Sequence, residues 1–185
     1  MRIISKLILH LMGWQLFGQK PDLEKYIIVV APHTSNWDFF IGGLYLNTKG
    51  IRSKILIKKE AFFFPFGWIF KIIGGIPVDR YKRNYISEQM VDLFSRSKKM
   101  VLIITPEGTR KKVSNWKKGF HRIAKQANIP VILAFIDYSR KTVGINKAFE
   151  LTDDIDADMK RLKNYYKNII PKYPGKFSES TDNDR

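Results

Sequence analysis

The sequence predicts an α/β fold: a single domain with a central mixed, mostly parallel sheet flanked by helices, and an amphipathic helix at the N-terminus. Three observations carry this. Short apolar runs alternate along the chain with stretches of helical spacing, the pattern of strands joined through helices. Two of these runs, at residues 26–30 and 101–105, are soon followed by a proline, Pro32 and Pro106, and then by a polar turn. In an open α/β sheet such turns gather where parallel strands end, the edge at which ligands bind. Finally, 185 residues, 44% of them hydrophobic, suffice for one full core and make a second domain unexpected. The chain divides into an N-terminal interfacial helix at 1–20, a main domain at 21–170 and a polar tail at 171–185, expected to be disordered.

Residues 1–17 (MRIISKLILHLMGWQLF) set Arg2, Lys6 and His10 at four-residue intervals, a polar stripe on an otherwise apolar helix. The run is too short and too interrupted to span a bilayer comfortably and lacks the small-residue cleavage site of a signal peptide. It reads either as a membrane-associating helix anchored by Trp14 and Phe17 or as a helix packed on the core. Gly13 and Gly18 have the spacing of a phosphate loop, but Gln19 and Lys20 follow in place of Lys and Ser/Thr, which removes that reading. Residues 26–30 form a strand that Pro32 ends, and Ser35 or Asn36 caps a helix over 37–46. Residues 51–58 (IRSKILIK) alternate as a half-buried strand does.

The most aromatic stretch, 61–73 (AFFFPFGWIFKII), is broken by Pro65 and Gly67. It is expected as two short helical pieces that wall an acyl pocket or dip into a lipid interface, or else as core. Residues 74–80 (GGIPVDR) read as a glycine turn and a short strand, 81–100 as a helix, 101–105 as the clearest buried strand, 119–128 as a helix and 129–138 as another strand. The acidic stretch from Glu150 begins a helix running to about Ile170.

Lys and Arg exceed Asp and Glu by a net charge of +16, more than solubility requires, which points to an anionic partner: lipid headgroups, an acidic carrier or nucleic acid. Aromatic residues are 14% of the chain and cluster, which suits a membrane surface as well as RNA. With no cysteine there are no disulfides, thiolate metal sites or cysteine nucleophiles, and His10, His33 and His121 show no zinc-binding spacing. Neither a metal nor a cofactor is expected.

The candidate catalytic pair is His33 and Asp38, in HTSNWD at 33–38. On one continuous helix, about 100° per residue would carry Asp38 about 140° away from His33. At a strand-to-helix corner, Asp38 instead falls in the first helical turn, where the positive helix end favours a carboxylate, and reaches back to the imidazole. An imidazole oriented by a buried carboxylate is a general base. Gly108, Thr109 and Arg110, in TPEGTR at 105–110, offer backbone amides and a guanidinium for a phosphate, with Glu107 orienting Arg110 or bonding a hydroxyl. Arg80 offers a second guanidinium fork.

Taken together and in order, HTSNWD, the stretch from Lys59 and Glu60 through Pro65 and Gly67 to GGIPVDR, TPEGTR, and IPVIL at 129–133 resemble the motifs of the glycerolipid acyltransferases, typified by 1-acylglycerol-3-phosphate acyltransferases. The resemblance covers about residues 26–138. Thr105, Pro77, Lys111 and Leu133 depart from the family's usual residues, which bears on substrate choice more than on chemistry. The resemblance implies transfer of a fatty acyl chain from acyl carrier protein or acyl-CoA to the free hydroxyl of a lysolipid, most directly 1-acylglycerol-3-phosphate. His33 would be the base and Asp38 its partner, while Arg80, Thr109 and Arg110 would hold the acceptor phosphate, with Glu107 positioning them or the glycerol hydroxyl. It implies work at an anionic membrane surface, on the cytoplasmic face, as a peripheral or monotopic protein. Nucleic acid is not expected as a partner. A lyso amino-acid lipid as acceptor, and a non-enzymatic basic protein bound to membrane or RNA, are the alternatives.

Overall fold

The computed structural model describes residues 1–63, 66–79 and 83–177. The chain runs α1 (Arg2–Leu11), β1 (Gln15–Phe17), β2 (Lys25–Val30), α2 (Trp37–Lys49), β3 (Lys54–Lys58), α3 (Phe66–Ile72), β4 (Gly75–Val78), α4 (Arg83–Arg96), β5 (Met100–Ile104), α5 (Gly119–Ala127), β6 (Val131–Asp137), β7 (Thr142–Phe149) and α6 (Ile155–Tyr166). The strands form one seven-stranded sheet in the order β1-β7-β6-β2-β5-β3-β4. Every neighbouring pair is parallel except β6 with β7. The sheet is thus mixed and mostly parallel, as expected.

Strand β2 lies at its centre, and alternate residues point to opposite faces. Ile27 and Val29 join Leu102 and Leu133 under α4, α5 and α6, which contribute Phe94, Phe120 and Leu162. Tyr26 and Ile28 join Val101 and Ile132 on the other face, where Leu9 of α1 and Ile41 and Tyr45 of α2 pack. Helix α2, which follows β2, and α5, which follows the adjacent β5, therefore lie on opposite faces. A crevice opens between the ends of two such strands.

The N-terminal helix ends at Leu11 rather than continuing through Phe17. Gly13 adopts φ +78 just beyond it, and residues 15–17 pair with β7 as an edge strand. Trp14 is not a surface anchor: it is buried, edge-on to Tyr138 with ring centroids 5.2 Å apart. Residues 15–17 are thus part of the main sheet. Gly144 permits this pairing, since a Cβ there would come within 2.6 Å of the Phe17 Cβ. Helix α1 buries Ser5 and Leu9 and leaves Ile3, Ile4, Leu7 and Leu11 exposed.

Strand β7 was not expected either, and α6 stops at Tyr166 instead of near Ile170. The acidic stretch caps and clasps. Asp154 accepts the amides of Asp156 and Ala157 at the start of α6. Asp158 Oδ2 lies 3.0 Å from His121 Nε2, Asp153 pairs with Lys125 at 2.6 Å, and Asp156 pairs with Lys118, tying α6 to α5. The chain after Pro171 is no free tail as far as it is described. Phe177 is buried against Trp116, and residues 178–185 lie outside the described part. The aromatic stretch forms a short 3-10 turn, Lys59–Ala61, and α3, with Phe63, Trp68, Ile69 and Ile72 exposed rather than in the core.

Candidate active site

The corner after β2 is folded by the carboxylate of Asp38. Asn36 precedes α2 without a side-chain cap, and Ser35 Oγ accepts the Trp37 amide at 3.1 Å. Asp38, in the first turn, accepts the amides of Thr34 and Ser35 on Oδ2, each at 2.9 Å. The same oxygen lies 3.0 Å from His33 Nδ1. Its other oxygen accepts the Tyr138 hydroxyl at 2.7 Å. Burial pushes the Asp38 carboxyl up, but the hydrogen bonds from His33, Tyr138 and the Ser35 amide outweigh it and hold its pKa below the usual range. An ionised carboxylate only accepts hydrogen bonds, so Nδ1 carries the hydrogen and Nε2 is left with its lone pair in the neutral ring.

Glu107, in the loop after β5, is buried and accepts the His33 backbone amide on both oxygens, at 3.0 and 3.1 Å. It therefore ties the His33 loop to the loop after β5. Burial, aided by the charge of Asp38 and opposed by the His33 amide, raises Glu107 to about 7. An unfolded carboxyl titrates near ~4.3, so the folded chain keeps this proton through a window in which the unfolded chain has lost it. The stability contributed by protonated Glu107 is complete below the unfolded pKa and is lost as the pH rises through about 7. Glu107→Gln, which cannot ionise, is expected to gain stability relative to the wild type across that window. The gain levels off above it, at up to about 3 kcal/mol. Urea unfolding at a series of pH values measures this, and a pH-independent difference would refute it.

Gly108 has φ +66 and donates its amide to the Thr105 carbonyl at 3.0 Å. The end of the Lys117 side chain, its Cε at 2.7 Å, lies where a Cβ would project but can swing aside, so it is the positive φ that favours glycine here. Thr109 is half-buried and Arg110 exposed, and both share a cavity wall with His33, Asp38 and Lys117. That cavity, about 1680 Å³, is continued by Phe39, Gly42, Gly43 and Leu46 of α2 and by Ile55 and Ile57 of β3. Nothing lies within 4 Å of where a Gly43 Cβ would stand. Among the predicted site residues, His33, Asp38 and Glu107 are thus joined by hydrogen bonds, and Gly108, Thr109 and Arg110 stand beside them. Arg80 lies outside the described residues. Tyr138, just past β6, was not singled out from the sequence. Its only sequence signal is its place at the end of a strand beside β2. Among the described residues no cluster of His, Asp and Glu is arranged to hold a metal ion.

Fold and site together define an α/β protein with a carboxylate-bound histidine at the ends of parallel strands, lining a largely apolar cavity. The sequence profile of the acyltransferase family matches residues 18–136, more than half of the chain. The chain belongs to the acyltransferase family and is an acyltransferase. Its fold is similar to the crystal structure of the 1-acyl-sn-glycerophosphate acyltransferase PlsC from Thermotoga maritima, with a TM-score of 0.59 at 16% sequence identity, covering 89% of this chain and 76% of that one. No curated protein sequence matches the chain.

Proposed function

We propose that this acyltransferase moves a fatty acyl chain from the thioester of acyl carrier protein or coenzyme A to the free hydroxyl of a lysolipid, most directly 1-acylglycerol-3-phosphate, giving phosphatidic acid. The observation that carries this reading is the 3.0 Å contact from Asp38 to His33 Nδ1, which leaves the Nε2 lone pair free on a side chain that lines the cavity. Nε2 takes the acceptor's hydroxyl proton as the oxygen attacks the thioester carbonyl. The C–O bond forms, the C–S bond breaks, and the imidazolium returns the proton to the departing thiolate. Asp38 stabilises the imidazolium while it exists. The chain has no cysteine to carry the acyl group, and the attacking oxygen belongs to the acceptor.

The paired glycines of α2 support the site as a seat for an alkyl chain. Glycine inside a helix costs about 1 kcal/mol relative to alanine, and Gly42 and Gly43 both line the cavity. Action at the cytoplasmic face of a membrane, as a peripheral or monotopic protein, is supported by exposed apolar side chains close to the site. Trp37 and Phe40 at the start of α2 are exposed and share a groove with Met12 and with Ile8 of α1, whose outer face carries Ile3, Ile4, Leu7 and Leu11. No described helix is long and apolar enough to cross a membrane. Exposed Lys6 and the net charge of +16 suit anionic headgroups.

Thiol release with 1-acylglycerol-3-phosphate as acceptor tests the reading. Release that requires the acceptor and yields diacyl product supports it, and no release with either donor refutes it for this acceptor. Arg110 separates the acceptor classes. If it holds the phosphate, Arg110→Ala is expected to raise the acceptor KM by about 10- to 100-fold with kcat retained, as loss of charge-assisted hydrogen bonds does. An unchanged KM would point to an acceptor without phosphate, such as a lyso amino-acid lipid.

A further inference from the structure

We propose that Tyr138 is a positioning residue for the His33–Asp38 pair, and that buried Trp14 holds it in place. The proposal rests on the reading of His33 as the base. The donors on Asp38 Oδ2, namely His33 Nδ1 and the amides of Thr34 and Ser35, all belong to the corner that the carboxylate itself folds. Such local contacts fix the oxygen within the corner but do not fix the corner against the sheet. Glu107 ties the His33 backbone to the loop after β5, whereas the tie from the Asp38 carboxylate itself is the Tyr138 hydroxyl, which donates to Oδ1 at 2.7 Å from the residue after β6. It gives the second carboxylate oxygen a partner and so sets the plane of the carboxylate, and with it the direction of the imidazole.

Tyr138 is in turn held from two sides. Its amide donates to the Ile170 carbonyl at 2.9 Å. Trp14 meets its ring edge-on at 86°, and the Trp14 segment is bound to the turn after β6, where Gln15 N donates to the Lys141 carbonyl at 2.8 Å and Lys141 Nζ to the Met12 carbonyl at 3.2 Å. The connection between α1 and β1 therefore reaches the catalytic pair through two aromatic rings. Tyr138 acts through Asp38, and this sets it apart from a residue that contacts substrate.

The test compares Tyr138→Phe, Trp14→Ala, the double variant and His33→Ala in steady-state turnover, and follows the His33 ring by nitrogen-15 NMR. Tyr138→Phe keeps the ring and removes one hydroxyl. It is expected to lower kcat by about 10- to 100-fold, the effect of a charge-assisted hydrogen bond, with both KM values within about twofold. Removing this donor releases the plane of the carboxylate, so the nitrogen-15 shift of His33 Nδ1, which reports its hydrogen bond to Asp38, is expected to change. The other titratable groups against the pair are Glu107, from the loop after β5, and Tyr173, from the segment after α6. Reading the His33 ring itself keeps their signals apart. Trp14→Ala is expected to lower kcat alone and to lower it no further in the Tyr138→Phe background.

An unchanged kcat and an unchanged Nδ1 shift in Tyr138→Phe would overturn the proposal. So would a raised acceptor KM with kcat intact, which would make Tyr138 a substrate contact. Additive losses in the double variant would overturn the part played by Trp14. If His33→Ala still turns over, the reading of the base fails. If His33→Ala is inactive while Tyr138→Phe matches the wild type, the positioning proposal alone fails.

Discussion

His33→Ala is expected to lower acceptor-dependent thiol release by about 10²- to 10⁴-fold, the range for loss of a positioned general base. Without the ring, the attacking hydroxyl must lose its proton to water, and the departing thiolate loses the imidazolium that would return it. The corner itself should survive, because Glu107 holds the His33 backbone amide and Asp38 holds the amides of Thr34 and Ser35, none of which needs the imidazole. The variant should therefore unfold like the wild type and bind anionic vesicles with the same salt dependence, since the ring is only 23% exposed and lies inside the crevice. Side-by-side turnover and vesicle sedimentation separate these effects. A variant that binds and turns over normally would exclude His33 as the base.

Asp38→Asn is expected to cost turnover on a similar scale, about 10²- to 10⁴-fold, while leaving the geometry largely intact. Oδ2 accepts from His33 and two backbone amides, so the asparagine must place its carbonyl oxygen there and its NH₂ on the side of Tyr138. The Tyr138 hydroxyl can turn to accept that NH₂. The ring then keeps its tautomer, with hydrogen on Nδ1, and what is lost is the negative charge that stabilises the imidazolium. The variant thus separates charge from orientation. An unchanged fold, together with a lowered kcat and a nearly constant KM, is the expected result. Retained kcat would show that the carboxylate serves only to fold the corner.

The parts of the fold legible in the sequence were those whose signal is local. The runs that became β2 and β5 are apolar throughout because a central parallel strand is covered on both faces, and their prolines marked the turns that hold the site. His33 and Asp38 could be paired because both lie within one corner. Strand β7 gave no such signal: Gly144 interrupts it and Asn146 and Lys147 are polar, features imposed by the close approach of Phe17 and by partial exposure near the edge of the sheet. Strand β1 is too short to stand out from the helix before it. Glu107 showed its residue type but not its partner, because the amide it holds lies on a different loop. Tyr138 meets Asp38 only across the ends of adjacent strands, a relation that strand order creates and linear spacing does not display.

The pairing of β1 with β7 also sets an order of events as the chain emerges from the ribosome. Gln15 finds its partner in Thr142, and the Phe17 carbonyl receives the Tyr45 hydroxyl at 2.6 Å while that same hydroxyl accepts the Ile145 amide at 3.2 Å. Strand β1 thus waits for β7, a non-local closure of the kind that is slow to form. Until β7 is synthesised, the sheet-side residues of α1 lack their full docking site, and both faces of the helix are open to whatever meets the nascent chain first.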